Sequence, residues 1–89
     1  MIIGSGKLKL ENKIYLLTGV TCSHCEALKP IFYSTVAEGE YEEQVIEKNP
    51  KVAIALGIMS VPSIVDNRQG NADAYVGYGA CMEFLNEKY

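Results

Sequence analysis

The sequence predicts an α/β sandwich around a four-stranded mixed sheet flanked by about three helices, with the elements in the order β-α-β-α-β-β-α. In the first half, short strand-forming runs alternate with helical patterns, which favours parallel strands joined by right-handed crossovers. In the second half, two strand-forming runs flank the turn DNRQGN, residues 66–71, which favours an antiparallel hairpin. The chain has 89 residues, 48% of them hydrophobic, so we expect a single domain over residues 1–89.

The first strand is predicted from an apolar run. KIYLLTG, residues 13–19, is rich in strand formers and ends in glycine, which indicates a buried strand. The preceding KLKLE, residues 7–11, alternates polar and apolar side chains. It would pair with the first strand across Glu11 and Asn12.

The first helix is expected from Ser23 to about Ala37, and Gly39 ends it. The acidic segment EGEYEEQVIE, residues 38–47, carries five glutamates and is interpreted as a solvated turn leading into a strand over 41–46. The helix has one stripe of residues at helical spacing that we expect to be buried, namely Leu28, Ile31, Phe32, Thr35 and Val36.

A second, short helix is predicted over Pro50–Leu56. Asn49 is a candidate cap, proline suits the first turn, and Gly57 supplies a left-handed stop. The hairpin strands follow as SIVDN, residues 63–67, and ADAYVGY, residues 72–78.

The last helix is predicted within GACMEFLNEKY, residues 79–89. Its helical spacing places Cys81 on one face with two apolar residues, Phe84 and Leu85. Since free cysteine is among the most buried residue types, we expect Cys81 to be a core thiol. Tyr75 and Tyr78 are expected to be strand residues that pack on the sheet.

Composition excludes several classes of protein. The net charge of −3 and pI near 5.0 argue against binding to nucleic acid or an anionic membrane, because both favour a basic surface. No apolar segment approaches the length of a membrane span, so we expect a cytoplasmic protein, with a monomer as the default state. Three cysteines do not suit a secreted scaffold with several bridges.

The segment TCSHC, residues 21–25, carries the chemistry that we expect. Cys22 falls where the first strand gives way to a helix, and the free N–H groups of a helix start stabilise a thiolate. Cys25 follows one turn later, close enough for a readily reduced disulfide once that turn tightens. We therefore expect Cys22 to be the nucleophile of thiol–disulfide exchange and Cys25 to resolve the mixed disulfide. His24 would tune the pair by donating a hydrogen bond or positive charge to the thiolate.

Two other uses of the same residues stay open. Structural zinc requires four ligands, and the nitrogen and sulfur candidates are Cys22, His24, Cys25 and Cys81. A purely structural bond between Cys22 and Cys25 would stabilise the fold little, since it closes a very short loop.

In three features the chain resembles the thioredoxin and glutaredoxin superfamily, most closely its small single-domain members. The first is a strand followed by TCSHC and a helix, and the second is Pro30, five residues after Cys25, where thioredoxins often have a helix-kinking proline. The third is NPKVAIALGIMSVPSIV, residues 49–65, similar to the thioredoxin run in which a short helix and a glycine precede a cis-proline. Together they cover residues 13–89 and imply a thioredoxin-like fold.

The resemblance implies a disulfide oxidoreductase and a set of substrate contacts. Pro62 would be cis and lie beside Cys22, and the backbone of Val61 would pair with an extended substrate segment. Thr21 and Ser23, which flank Cys22, would also contact the substrate. The implied partners are protein disulfides and a disulfide reductase or glutathione, with glutathione at most a co-substrate and no bound cofactor or metal.

The chain departs from both families at identifiable positions. Thr21 and Leu16 stand where many thioredoxins have a tryptophan and a buried aspartate, so Glu26 or water would have to carry the proton. Gly19 stands where glutaredoxins usually have a lysine. The glutathione-binding GG motif is matched only in part, by Gly79, Ala80 and Cys81, with Met82 in place of its aspartate.

GVTCSHC also resembles the GMTC-x-x-C loop of small copper chaperones, in which two thiolates bind a soft monovalent ion. This alternative makes the chain a metal-binding module. The predicted elements after Ala37 do not follow the order of strands and helices in those chaperones.

Overall fold

The computed structural model describes residues 10–89. The strands are β1 (Ile14–Thr18), β2 (Tyr41–Val45), β3 (Ser63–Asp66) and β4 (Asp73–Val76). The helices are α1 (Ser23–Thr35), α2 (Lys51–Leu56) and α3 (Tyr78–Glu83), and α3 continues into a π-helical turn over Phe84–Lys88. This order is the predicted β-α-β-α-β-β-α.

The sheet is mixed, as predicted, with the strands in the order β2-β1-β3-β4. β1 and β2 are parallel and pair Thr18 with Val45 at their carboxyl ends. β3 runs antiparallel to both β1 and β4. The predicted α/β class with a four-stranded mixed sheet is confirmed, while the pairing expected for residues 7–11 depends on residues 7–9, which lie outside the described residues.

Alternating side chains of β1 build a core on each face of the sheet, as the two-residue period of a strand requires. On one face, Ile14 and Leu16 pack with residues of α1, α3 and the π-helical turn, among them Leu28, Phe32, Cys81 and Phe84. On the other face, Tyr15 and Leu17 pack with residues in and after α2, namely Val52, Ala53 and Ile58. β1 is therefore buried along its whole length, and the residues that follow it emerge at an edge of the sheet between the two layers.

The structure corrects the predicted cap of α2. Pro50 occupies the cap position, and no side chain caps the helix. Asn49 instead belongs to the turn after β2, where its amide donates to the carbonyl oxygen of Val45 at 2.8 Å. The predicted stop is confirmed, because Gly57 is left-handed with φ 70° and its amide donates to the carbonyl oxygens of Ala53 and Ile54.

Other predicted ends move by one or two residues. α1 stops at Thr35, not at Ala37, because Val36 is already extended while its amide still donates to Phe32. β2 stops at Val45, although the amide of Ile46 continues the ladder by donating to the carbonyl oxygen of Thr18 at 2.9 Å.

Candidate functional site

Cys22 and Cys25 form a disulfide at the start of α1. Cys22 is the extended cap residue of the helix, and its Sγ accepts a hydrogen bond from the backbone amide of Cys25 at 3.1 Å. The two Cα atoms are 5.2 Å apart and the sulfurs are bonded. A thiolate at Cys22 would receive the same amide donor and the positive end of the helix.

The two sulfur-bearing residues differ in burial. Cys25 is fully buried, whereas Cys22 is partly exposed. Since exchange requires direct attack at a sulfur, access favours Cys22 as the residue that meets an external disulfide. Cys25 is then placed to react only with Cys22. Thr21 and Ser23 flank Cys22 and are exposed, as a role in substrate contact requires.

Gly19 lies just before the disulfide in the chain and close to two distant residues, Val61 and Glu47. A Cβ at this position would lie 3.2 Å from Val61 Cγ2, 3.5 Å from Glu47 Oε2 and 3.7 Å from Cys22 Cβ. A lysine like that of glutaredoxins would therefore press against Val61. The absence of a side chain at Gly19 lets the loop before β3 approach Cys22.

The loop before β3 is held in place by hydrogen bonds from Gly77 and Cys81. The Val61–Pro62 peptide bond is cis, and Val61 is partly buried. The carbonyl oxygen of Pro62 accepts the amide of Gly77 at 2.9 Å and the thiol of Cys81 at 3.5 Å. Residues at the start of α3 therefore position the Pro62 loop at the edge of the sheet where the disulfide lies.

Glu47 belongs to this site and was not predicted. Its Oε1 accepts the backbone amide of Val20 at 3.2 Å, which ties the end of the β2 strand to the segment before Cys22. The sequence contained one usable signal: the carboxyl ends of neighbouring parallel strands meet at one edge of a sheet. A residue two positions after β2 is thereby brought next to residues just after β1, but the surrounding glutamates obscured this signal.

A search of solved structures connects this arrangement to a known fold. The matching chains include a thioredoxin of Malassezia sympodialis, Mala s 13, at a TM-score of 0.63 and 16% sequence identity. The match covers 83% of this chain and 71% of that one. This chain has a thioredoxin fold. No protein-family model matches the sequence, and no curated protein matches it.

In this thioredoxin fold, His24 and Tyr78 meet beside the disulfide. Their ring centroids are 5.5 Å apart, and His24 is exposed. Tyr78 was expected on a strand packed against the sheet; this is wrong, because Tyr78 begins α3 and lies on His24. Tyr75 does pack as expected, with its ring 4.9 Å from that of Phe84.

The carboxylate suggested as a proton carrier lies elsewhere. The side chain of Glu26 is 68% exposed, and its Oε2 is 3.0 Å from Lys29 Nζ. Leu16, at the position where many thioredoxins have an aspartate, is fully buried in the apolar core. The carboxylate of Glu47, by contrast, has Oε2 3.5 Å from the point where a Cβ of Gly19 would stand, next to Cys22 Cβ.

Cys81 is fully buried, as predicted for a core thiol. Burial raises the pKa of this thiol to about 12, so it stays protonated at neutral pH.

Within residues 10–89, no group of three or more histidine, cysteine, aspartate or glutamate side chains is arranged to hold a metal ion. The four zinc candidates thus do not converge. In the same part of the chain, no helix has the length and apolarity needed to cross a membrane.

Proposed function

We propose that this chain is a thiol–disulfide oxidoreductase that acts on protein disulfides. The observation that carries the proposal is the unequal pair at the start of α1: a partly exposed Cys22 that caps the helix, bonded to a fully buried Cys25. An accessible sulfur that leaves as a stabilised thiolate, next to a shielded resolving sulfur, has the properties that exchange requires.

In the reductive direction, the Cys22 thiolate attacks one sulfur of the target disulfide. The target bond breaks, its second sulfur leaves as a thiolate that takes a proton, and a mixed disulfide with Cys22 forms. Cys25 then loses its proton and attacks the sulfur of Cys22, which releases the second target thiol and forms the Cys22–Cys25 disulfide. Two electrons and two protons pass to the target.

The substrate contacts are part of the same proposal. Support comes from Thr21 and Ser23, which flank Cys22 and are exposed, and from Val61, whose Cγ2 lies next to Gly19 in the loop that also contains Pro62. An extended segment of the target would pair with the backbone of Val61. His24, lying on Tyr78, would stabilise the Cys22 thiolate.

The oxidised pair is returned to dithiol by two electrons from a protein disulfide reductase or from two molecules of glutathione. We place this cycle in a reducing compartment such as the cytoplasm, where a close cysteine pair serves catalysis more often than structure. Enzymes that need dithiol electrons, such as ribonucleotide reductase, are the proposed class of target. The proposed acting unit is a monomer.

The first test is a redox titration of the Cys81→Ser variant in thiol–disulfide buffers of set potential, with alkylated thiols counted by intact mass. We expect one reversible two-electron step between about −170 and −270 mV. A pair that forms no reversible disulfide, and retains a soft metal ion until it is chelated, would overturn the proposal in favour of the copper-type module.

The second test separates the roles of the two cysteines. Cys25→Ser should trap a target protein as a mixed disulfide, because the resolving thiol is missing, whereas Cys22→Ser should trap none and lose exchange activity. Non-reducing gels of the variants incubated with a disulfide-bonded model substrate decide the result. Trapping by Cys22→Ser alone would reverse the assignment.

A further inference from the structure

The carboxylate of Glu47 meets the dithiol through the segment between β1 and Cys22. Its Oε1 accepts the Val20 amide at 3.2 Å. Its Oε2 lies 3.5 Å from the point where a Cβ of Gly19 would stand, and Cys22 Cβ lies 3.7 Å from that same point. Glu47 Oε2 and Cys22 Cβ therefore both border the space beside Gly19.

The backbone directs Glu47 to this place. The amide of Ile46 extends the parallel ladder to Thr18, and the next turn folds back through bonds from the amides of Lys48 and Asn49 to the carbonyl oxygen of Val45. Glu47 lies inside that turn. This turn brings Glu47 next to the residues that follow β1, where its Oε1 accepts the Val20 amide.

The other titratable groups near Cys22 do not cancel this charge. On α1, Glu26 is paired with Lys29, and His24 is exposed and lies on Tyr78 of α3. Among residues 10–89, Glu47 has no ion-pair partner within 4 Å. A carboxylate that borders the same space beside Gly19 as Cys22 disfavours a thiolate at Cys22, in opposition to the start of α1.

We propose that Glu47 is a positioning residue of the dithiol: it anchors the segment before Cys22 through the Val20 amide, and its negative charge opposes formation of the Cys22 thiolate. The inference rests on the proposed function, since it assigns Glu47 the task of keeping the pair a reductant. A thiolate that is less stabilised makes the reduced form more ready to give up its electrons.

Two substitutions separate anchoring from charge. Glu47→Gln keeps an oxygen that can accept the Val20 amide but removes the charge, whereas Glu47→Ala removes both. Glu38→Gln is the matched control, because Glu38 is an exposed glutamate beyond the far end of α1. All variants carry Cys81→Ser, and the thiolate of the reduced protein is followed by its absorbance at 240 nm as a function of pH.

We expect the thiolate-to-thiol ratio of Cys22 at a given pH to rise about threefold in both Glu47 variants, and to stay unchanged in Glu38→Gln. The rise should shrink in 1 M salt, because screening weakens a charge effect but not a change in packing. Glu47→Ala alone should also accelerate amide exchange at Val20. A titration of Glu47→Gln that matches that of the parent protein at low salt would overturn the inference.

The thiol titration requires no target protein and no reversible disulfide. It decides the effect of Glu47 even if the redox titration of the parent protein fails. Conversely, a parent protein that exchanges normally while Glu47→Gln leaves the titration unchanged would sink this inference and leave the proposed function standing.

Discussion

The thiol of Cys81 lies 3.5 Å from the carbonyl oxygen of Pro62, so the free cysteine of the described chain supports the loop that contains the cis Val61–Pro62 bond. The same thiol lies 3.5 Å from the carbonyl oxygen of Tyr75. Cys81 is thus a buried hydrogen-bond donor shared between two backbone acceptors. Its burial, which raises its pKa to about 12, gives the fold a specific dependence on alkaline pH.

We predict that Cys81 makes the free energy of unfolding fall as pH rises above about 8.5. The pKa of Cys81 is raised in the folded protein, so the unfolded chain loses this proton first as pH rises. The contribution of the protonated thiol to stability is therefore complete below the pKa of the unfolded chain. It is lost as pH rises from that value towards the pKa of the folded protein. Urea unfolding of the oxidised protein at pH 7 to 10.5 measures the slope, and Cys22 and Cys25 do not titrate in that form. Cys81→Ala should have a flatter slope; equal slopes would contradict the prediction.

We predict that Gly19→Ala slows exchange by about threefold to tenfold and lowers the free energy of unfolding by about 1 kcal/mol. The new methyl group would lie 3.2 Å from Val61 Cγ2, so the Val61 loop must shift away from Cys22. Exchange is measured as the rate of insulin disulfide reduction, and stability by urea unfolding.

Gly79→Ala is the matched control for this substitution. A Cβ at Gly79 has no neighbour within 4 Å, and the residue lies within α3, so alanine there should stabilise by about 0.5–1 kcal/mol and leave exchange unchanged. Exchange in Gly19→Ala as fast as in Gly79→Ala would show that the approach of Val61 to Cys22 does not matter.

Local signals predicted the elements and the dithiol. The apolar run at 13–19, the helical stripe of α1 and the turn at 66–71 each reflect neighbours in sequence, and the order of elements followed from them. Cys22 and Cys25 were predicted for the same reason, since a helix start and a three-residue spacing are local properties.

Glu47 and Tyr78 were missed because their roles depend on packing between distant segments. Glu47 reaches the site only because β2 lies parallel to β1 with Val45 opposite Thr18. Tyr78 meets His24 only because α3 begins one residue after Gly77, whose amide binds the Pro62 carbonyl. Neither register nor the start of α3 could be read from periodicity. The cap assigned to Asn49 was wrong because Asn49 lies in the turn after β2 and Pro50 takes the cap position.

We predict a midpoint potential of about −200 to −240 mV, and a decrease of about 15–30 mV in His24→Gln. A positive or hydrogen-bonding imidazole beside Cys22 stabilises the reduced form, so its removal should make the pair more reducing. Equilibrium with glutathione buffers, read by alkylation and mass, gives both values. Tyr78→Phe keeps the ring that contacts His24 and should retain the parent potential, whereas Tyr78→Leu should shift it in the direction of His24→Gln. A parent value below about −280 mV would contradict the tuning role.

We predict that Arg68→Lys lowers the free energy of unfolding by about 1 kcal/mol without changing exchange. Arg68 donates to both carboxylate oxygens of Asp66, at 2.9 and 3.0 Å, and its guanidinium lies 4.9 Å from the ring centroid of Tyr89. Lysine can reproduce neither the two-pronged bond nor the stacking. Asp66 pairs with Ile14 at the start of β1, at the edge of the sheet opposite the disulfide, so insulin reduction should be unaffected.

The ion pair of Arg68 with Asp66 also makes the free energy of unfolding depend on pH in acid. The hydrogen bonds from Arg68 hold the pKa of Asp66 in the folded protein below its ordinary value. Their contribution to stability is therefore fully present above the pKa of the unfolded chain, near 3.9, and is lost as pH falls through the lower pKa of the folded protein. The stability gap between the parent and Arg68→Lys should therefore narrow between about pH 4 and pH 2. Asp66→Asn, which cannot ionise, is the control. At pH 7, Arg68→Lys should lower the free energy of unfolding less in the Asp66→Asn background than in the parent. If the difference in unfolding free energy between the parent and Arg68→Lys stayed constant with pH, the destabilisation by Arg68→Lys would come from the contact between Arg68 and Tyr89 alone.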